Sequence, residues 1–413
     1  MAELTGAANP LYDVAIVGAG PAGSAAATHL ARAGWRVALV DRGVFPRDKP
    51  CAESLSPAVE PLLTELGALD RVLADHPARL RGFRVYAPNG RSFHGDYAGT
   101  RGADGKSIHE TGLVVARLRL DAALVDAAKR AGAALREGWR LASLAREDGC
   151  WRLKSVTGDE LRARLLIAAD GVHSTVARRL GLHETGRLRK VALVAHIRGI
   201  NGLDDYGEMH VANRRYVGLA PLEPPEVGTL CNVAMVVDEA RERVKLAGRP
   251  QLFLLEALHT FPRLDGRLDA MEVVRKTIAI SRIHVKARRI VDDGLLLVGD
   301  AAGYFDPFTG EGIYGALASA KLAAGIADRA LAAGSVDKAA LAEYQRGHAA
   351  LFRGKGVVEG IIQAAVFAPA LMNQIARRMG RNKAMADTLL GVTGDFLPTS
   401  AVLNPRYLAR LVI

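Results

Sequence analysis

Residues 13–41 read DVAIVGAGPAGSAAATHLARAGWRVALVD. Asp13–Gly18 is a short apolar strand. Pro21 suits the first turn of a helix, the Ala-rich run Ala22–Ala33 continues it, and Gly34 is a natural C-terminal cap. Arg36–Asp41 is a second strand, which completes a βαβ unit. Between the first strand and the helix lies Gly18-Ala19-Gly20-Pro21-Ala22-Gly23. Gly18 permits the tight turn, Gly20 lets the backbone approach a pyrophosphate, and Gly23 lets the helix pack closely on the strand. The helix N-terminus adds partial positive charge. Asp41 ends the second strand, where an acid can bind a ribose hydroxyl, and Arg42 follows it. These residues are the candidate cradle of a dinucleotide.

Two later segments carry similar signals. Leu165–Ala169 is a buried strand followed by Asp170-Gly171-Val172-His173-Ser174. It places a carboxylate at the carboxyl edge of a sheet, where ligands bind. A plain strand-to-helix turn with Ser174 as N-cap fits it too. Leu295–Val298 is a third buried strand and ends in Gly299-Asp300-Ala301-Ala302-Gly303. Phe305-Asp306-Pro307-Phe308-Thr309-Gly310-Glu311-Gly312-Ile313 follows, just before a long helix over Gly312–Leu331. Asp300 is placed to accept hydrogen bonds from a polyol. Pro307, Gly310 and Gly312 bring the backbone to a planar ring, where N–H groups and the helix dipole stabilise negative charge.

Around these segments the pattern predicts helices over Ala58–Leu73, Leu118–Ala131 and Arg249–Thr260. It predicts a hairpin of Phe83–Tyr86 with Ser92–His94. Strands are predicted over Trp151–Ser155, Leu161–Ala169, Val191–Ile200, Gly207–Leu219, Thr229–Val237 and Val274–Ile283. From Lys338 onward the chain reads as mostly helical. The expected fold class is α/β, with a dinucleotide-binding domain assembled from residues 10–75, 105–180 and 285–335. A mainly-β substrate domain occupies 76–104 and 181–284, and a helical C-terminal region 336–413.

The chain has 413 residues, too many for one hydrophobic core. Its formal charge of +11 is spread over scattered Arg and Lys, without a basic block or a zinc-finger pattern, so no nucleic-acid partner is expected. Cys51, Cys150 and Cys231 are too far apart for a disulfide framework or a metal cluster. His109, His173, His196 and His284 show no metal spacing. No signal sequence or spanning helix is evident, and a cytoplasmic protein is expected. Val357–Ile375 is apolar but broken by Glu359, Gln363, Pro369 and Asn373. It reads either as a helix over an apolar tunnel or as a peripheral membrane contact.

Together the three motifs resemble the glutathione-reductase-type FAD fold of aromatic hydroxylases, flavin halogenases and geranylgeranyl reductases. The resemblance spans about residues 12–335. It implies that Gly18, Gly20, Pro21, Ala22, Gly23, Asp41 and Arg42 hold the ADP part of FAD. It also implies that Asp170 supports the cofactor, Asp300 the ribityl chain, and Pro307, Gly310, Gly312 and Ile313 the isoalloxazine. Arg117, in Arg117-Leu118-Arg119-Leu120-Asp121, matches a pattern that touches the same cofactor. Pro46–Cys51 and Gly299–Ala316 are most similar to the geranylgeranyl reductase branch, whereas Ala52–Pro57 is closer to halogenases and hydroxylases. The halogenase Trp-x-Trp-x-Ile-Pro box is absent.

The candidate catalytic groups are Cys51, as a thiol beside the ring, and Glu53 and Glu311, as proton donors. Tyr216 and Pro221 are candidate substrate contacts. FAD would carry the hard chemistry. There is no second G-x-G-x-x-G, so NAD(P)H visits the flavin without its own domain, or an electron-donor protein reduces it. The resemblance favours reduction of C=C bonds in an isoprenoid or related hydrophobic lipid. The alternatives are hydroxylation of an aromatic or polyketide-type substrate, and a flavin-free binding protein.

Overall fold

The structure is a computed structural model, and it describes residues 10–97, 111–224 and 226–412. His109 and the start of the second expected dinucleotide segment, 105–110, lie outside the described residues, as does the extreme N-terminus.

The first strand, β1 (Leu11–Val17), places Val14, Ala15, Ile16 and Val17 in the core, so it is apolar on both faces, as an inner parallel strand must be. Helix α1 (Pro21–Arg32) buries its Ala face and Leu30 against it. Strand β2 (Val37–Val40) pairs parallel with β1. Beyond β2, residues 59–73 form two helices, Val59–Leu66 and Leu69–Leu73, where the pattern predicts one. Gly67 explains the break: at φ +68° it caps the first helix in the left-handed conformation. The predicted hairpin is present as β3 (Gly82–Tyr86) and β4 (Ser92–Asp96).

Helix α2 (Arg117–Arg130) and strands β5 (Ala134–Arg136), β6 (Leu141–Glu147), β7 (Cys150–Ser155) and β8 (Glu160–Ala168) follow. Next come β9 (Lys190–Arg198), β10 (Tyr206–Ala212), β11 (Arg215–Pro221), β12 (Cys231–Asp238) and β13 (Glu272–Ser281). The stretch 207–219 is thus two strands, not one. It turns at Asn213-Arg214, with Arg214 at φ +59°, and pairs Ala212 with Arg215. The polar run Asn213-Arg214-Arg215 marks the turn. Strands β14 (Val291–Asp292) and β15 (Leu295–Leu297) return to the first sheet.

Two sheets organise these strands. The dinucleotide-type sheet runs β14-β15-β8-β1-β2-β5, with β7 and β6 added antiparallel at β8. Its three sequence segments therefore meet side by side: β1 lies between β2 and β8, and β15 pairs parallel with β8. The second sheet runs β13-β9-β12-β11-β10-β3-β4 and is antiparallel except where β10 meets β3.

Helix α3 (Gly312–Ala332) packs on α1, and α4 (Lys338–Leu351) packs on α3. Leu341 and Tyr344 of α4 are fully buried in the same core as Ile16 and Leu30. Each such side chain contributes about 1.5–3 kcal/mol by burial. A separate layer of helices, α5 (Lys355–Phe367), α6 (Pro369–Met379), α7 (Lys383–Thr393) and α8 (Pro405–Val412), covers the second sheet. Pro369 ends α5 and starts α6. Among the described residues, no single helix is long and apolar enough to cross a membrane.

Candidate active site

The β1–α1 turn shows why glycine is required. Gly18 has φ +102°, and a side chain there would come within 2.5 Å of the Ala169 carbonyl. At Gly23 it would come within 1.7 Å of the Gly18 carbonyl. Both residues therefore shape the turn. At Gly20 the added carbon would meet only Arg47 Nη2 at 3.7 Å and Arg117 Nη2 at 3.9 Å, so this backbone faces two guanidinium groups. Asp41 accepts from Ala19 N at 2.8 Å and Gly43 N at 2.8 Å, and pairs with Arg47 at 3.3 Å. Arg42 is exposed beyond it.

Arg117 is buried, and its fork binds both oxygens of the fully buried Asp121 at 2.8 and 2.9 Å. Arg47 reaches the same carboxylate at 3.2 Å. The paired charge raises the Arg117 pKa despite burial, so the guanidinium is permanently positive. Lys49 adds a third cation. Burial and Arg117 lower its pKa, while Asp300 and Asp121 pull it up.

These cations border a cavity of ≈ 1210 Å³ lined by Gly20, Pro21, Ala22, Lys49, Cys51, Arg117, Gly171, Asp300, Pro307, Gly310, Gly312 and Ile313. Asp300 lies inside it, pushed up by burial and held down by Lys49 and Arg117. Cations beside the glycine turn suit a pyrophosphate, Asp300 suits a polyol, and the helix N-terminus at Gly312 suits a ring oxygen. The donor set fits FAD. When bound, FAD would supply two-electron transfer, and these residues would hold and orient it.

Asp170 stands at the start of a short helix. Its carboxylate caps the short helix Thr175–Arg179, accepting from Thr175 N at 2.6 Å and Val176 N at 3.2 Å. The neighbouring Ala169, Gly171 and Val172 line the cavity. Glu53 is also committed elsewhere. It is fully buried, accepts from Arg117 N at 2.9 Å, and lies 2.7 Å from His196 Nε2 and 3.7 Å from Arg275. It ties the loop to α2 and to the second sheet, and is not aimed at the cavity as a proton donor. Cys51 lines the cavity, but burial pushes its thiol up against the opposing pull of Arg117, which keeps it protonated at neutral pH. Cys150 and Cys231 are also free thiols.

Tyr216 lines the cofactor cavity, and its hydroxyl donates to Asp306 Oδ1 at 2.6 Å. Lys190 pairs with Asp306 Oδ2 at 2.6 Å and also binds Gln363 of α5. Pro221 is buried at the end of β11, opposite Cys231. Glu311 faces a separate cavity behind the 307–310 loop and pairs with Lys355 at 2.9 Å. Sequence reasoning left Arg47, Lys49 and Asp121 without roles, although all three stand inside quoted motifs. It also missed Lys190, which reaches Asp306 only through the fold, and Gln363, which bonds Lys190.

A second cavity adjoins the cofactor cavity and shares Ala52, Ser54, Met209, Gly218, Pro307 and Gly310 with it. It lies between the second sheet and α5–α8. Its wall is apolar, with Phe93, Ile362, Met372 and Leu390 among the lining residues.

The family model described as "FAD binding domain" matches residues 11–351. The menaquinone reductase of Mycobacterium tuberculosis is 32% identical over 329 residues, 76% of each chain. The digeranylgeranylglycerophospholipid reductase of Methanothrix thermoacetophila is 30% identical over 324 residues, covering 75% of this chain and 76% of that one. Conditioned medium factor receptor 1 of Dictyostelium discoideum is 32% identical over 338 residues. There the match covers 76% of this chain but only 62% of the receptor. The fold also matches the crystal structure of a halogenase in complex with FAD, with TM-score 0.78 and 17% identity over 94% of this chain and 83% of that one. The chain belongs to the FAD-binding-domain family, and it is an FAD-dependent oxidoreductase.

Proposed function

We propose that this flavoprotein reduces carbon–carbon double bonds in a polyprenyl chain, such as that of an isoprenoid quinone or lipid. The apolar cavity opening onto the cofactor cavity at Pro307 and Gly310 carries this reading. A long hydrocarbon gains from burial along such a wall, and the absence of charged lining groups among the described residues leaves little to orient a compact polar aromatic. Two relatives of known name, reductases of menaquinone and of a digeranylgeranyl lipid, act on polyprenyl compounds and support it.

The electrons come from NAD(P)H or from an electron-donor protein. The substrate reaches the tunnel from a membrane surface. Residues 352–413 carry eight basic residues, among them Arg377, Arg381, Arg406 and Arg410, against the acids Glu359, Asp387 and Asp395. These four arginines are exposed on or beside α6 and α8, whose inner faces line the cavity with Ile375, Leu408 and Leu411. A basic outer face over an apolar interior suits an anionic bilayer.

The test is anaerobic turnover of the reduced holoenzyme with a polyprenyl quinone, followed by mass spectrometry. A product heavier by two hydrogens supports the reading. A product that instead gains oxygen from O₂ under aerobic conditions, with no hydrogenated lipid in either case, overturns it in favour of hydroxylation.

A further inference from the structure

Reducing a double bond needs one proton for every hydride, yet the substrate cavity has no carboxyl, imidazole or ammonium group among its described lining residues. A third cavity, of ≈ 880 Å³, lies on the far side of the 307–310 loop. It shares Asp300, Tyr304, Gly312 and Ala316 with the cofactor cavity. Thr309 is the one described residue that lines both this cavity and the substrate cavity. The Thr309 hydroxyl is buried, stands beside the Glu311 carboxyl, and makes no well-formed hydrogen bond among the described residues.

The far cavity gathers acids around one ammonium group. Lys355 Nζ lies 2.9 Å from Glu311 and also binds Asp395, and Glu359 stands one turn further along α5. Three carboxyl groups share one ammonium in a partly buried space, so they resist full ionisation. Burial first, then Glu311 and Asp306, push Glu359 up to about 8. Burial pushes Asp395 to about 7 against the pull of Lys355, and burial outweighs Lys355 at Glu311 as well. The other titratable groups facing the cavity are His284 and Lys286, Tyr304 and Asp306 of the loop, Asp300, and His348 of α4. His284 and His348 are both lowered by burial and stay neutral at pH 7. Tyr314 and Phe352 place their rings against Lys355.

We propose that Thr309 and Glu311 form the proton path of the reaction, carrying a proton from the acid-lined cavity through the cofactor loop to the substrate. The inference rests on double-bond reduction being the reaction. As the π bond breaks, one carbon receives hydride from the reduced cofactor and the other takes the Thr309 hydroxyl proton. In the same step Thr309 receives the Glu311 proton, and Glu359 restores Glu311 from solvent. The cofactor is left oxidised, and the external two-electron donor reduces it again. Thr309 is then a catalytic residue, and Glu311 and Glu359 act through it.

The experiment follows the two half-reactions separately in the holoenzyme. Reduced enzyme is mixed anaerobically with a polyprenyl quinone, and the return of oxidised-flavin absorbance is timed. Thr309→Val is expected to slow this step about 100-fold or more, as loss of a proton donor does. Its reduction by dithionite is expected to stay unchanged, and Thr309→Ser to restore the rate. Glu311→Gln slows the same step and flattens its pH profile. A readout independent of turnover is the infrared carboxylic-acid band of the cofactor-free protein at pH 7, expected to weaken in Glu359→Gln. Wild-type reoxidation rates in Thr309→Val overturn the path, as does an infrared spectrum without that band. Reduced wild-type enzyme that no polyprenyl substrate reoxidises overturns the reductase reading itself, and the path with it, so the wild type tells the two failures apart.

Discussion

The Tyr216 hydroxyl donates to Asp306 Oδ1 at 2.6 Å, which bonds the middle of the substrate sheet directly to the loop that faces the cofactor. Asp306 also accepts from Phe308 N at 3.0 Å and pairs with Lys190, and the Tyr216, Asp306 and Lys190 side chains are all buried. Removing the carboxylate strands a buried ammonium. Asp306→Ala is therefore expected to cost about 3–5 kcal/mol in denaturant unfolding. Tyr216→Phe, which loses one hydrogen bond, costs about 1–2 kcal/mol. Equal losses in the two variants would show that the ion pair adds nothing beyond the hydrogen bond.

Gly23 has no room for a side chain, because the added carbon would lie 1.7 Å from the Gly18 carbonyl. Gly23→Ala must shift the helix start away from the pyrophosphate position. Purified protein is expected to lose its bound flavin, seen as loss of yellow absorbance. Gly132→Ala, at φ +101° with open space around it and away from the cavity, carries only backbone strain of about 1–2 kcal/mol and is expected to keep its colour.

The acid-lined cavity makes stability depend on pH in a particular direction. Glu359 titrates near 8 and Asp395 near 7 in the folded chain, both above their ordinary values of 4.5 and 3.8. Each group keeps its proton longer when folded, so its contribution is present at low pH and lost as pH rises toward the folded value. Stability is expected to fall between about pH 5 and pH 8, by at most about 1.4 kcal/mol per pH unit per group and less where water screens them. Glu359→Gln should flatten the part of that slope between pH 7 and pH 8. An unchanged slope in urea titrations would contradict the assignment.

The basic outer face of α6 and α8 predicts salt-sensitive binding to anionic vesicles. Arg406→Glu with Arg410→Glu is expected to lower co-sedimentation with phosphatidylglycerol-containing vesicles at least about 10-fold, at roughly 1 kcal/mol per basic residue lost or reversed. Zwitterionic vesicles serve as the control. Equal binding of wild type and variant would remove this face as the docking surface.

How much was legible in the sequence differs between fold and site. The β1–α1 turn is local: Gly18, Gly20, Gly23 and Asp41 lie within one βαβ unit, where φ +102° at Gly18 and the Gly18 carbonyl facing Gly23 favour glycine, and the distant Ala169 crowds Gly18 further. Asp300 and the 307–313 loop are also local, a strand end running into a helix start. Asp170 shows the limit of such reasoning. Its motif fits either a ligand or a helix start with Ser174 as N-cap, and only the folded structure shows Ser174 capping that helix and one Asp170 oxygen bonding Thr175 and Val176. The turn at Asn213-Arg214 was marked by a polar run but carries neither Gly nor Pro to announce it.

That the chain carries an FAD-binding fold could thus be read from the chain alone, because the glycine-rich turn and the strand termini leave local marks in the sequence. What surrounds the reacting end depended on the folded arrangement. Folding turned Glu53 toward His196, moved Glu311 behind the loop, joined Lys190 to both Asp306 and Gln363, and closed α5–α8 over the second sheet to make an apolar cavity. The bond between Lys190 and Gln363 spans 173 positions and that between Asp96 and Asp387 spans 291, and no local propensity records which distant side chains will share a cavity.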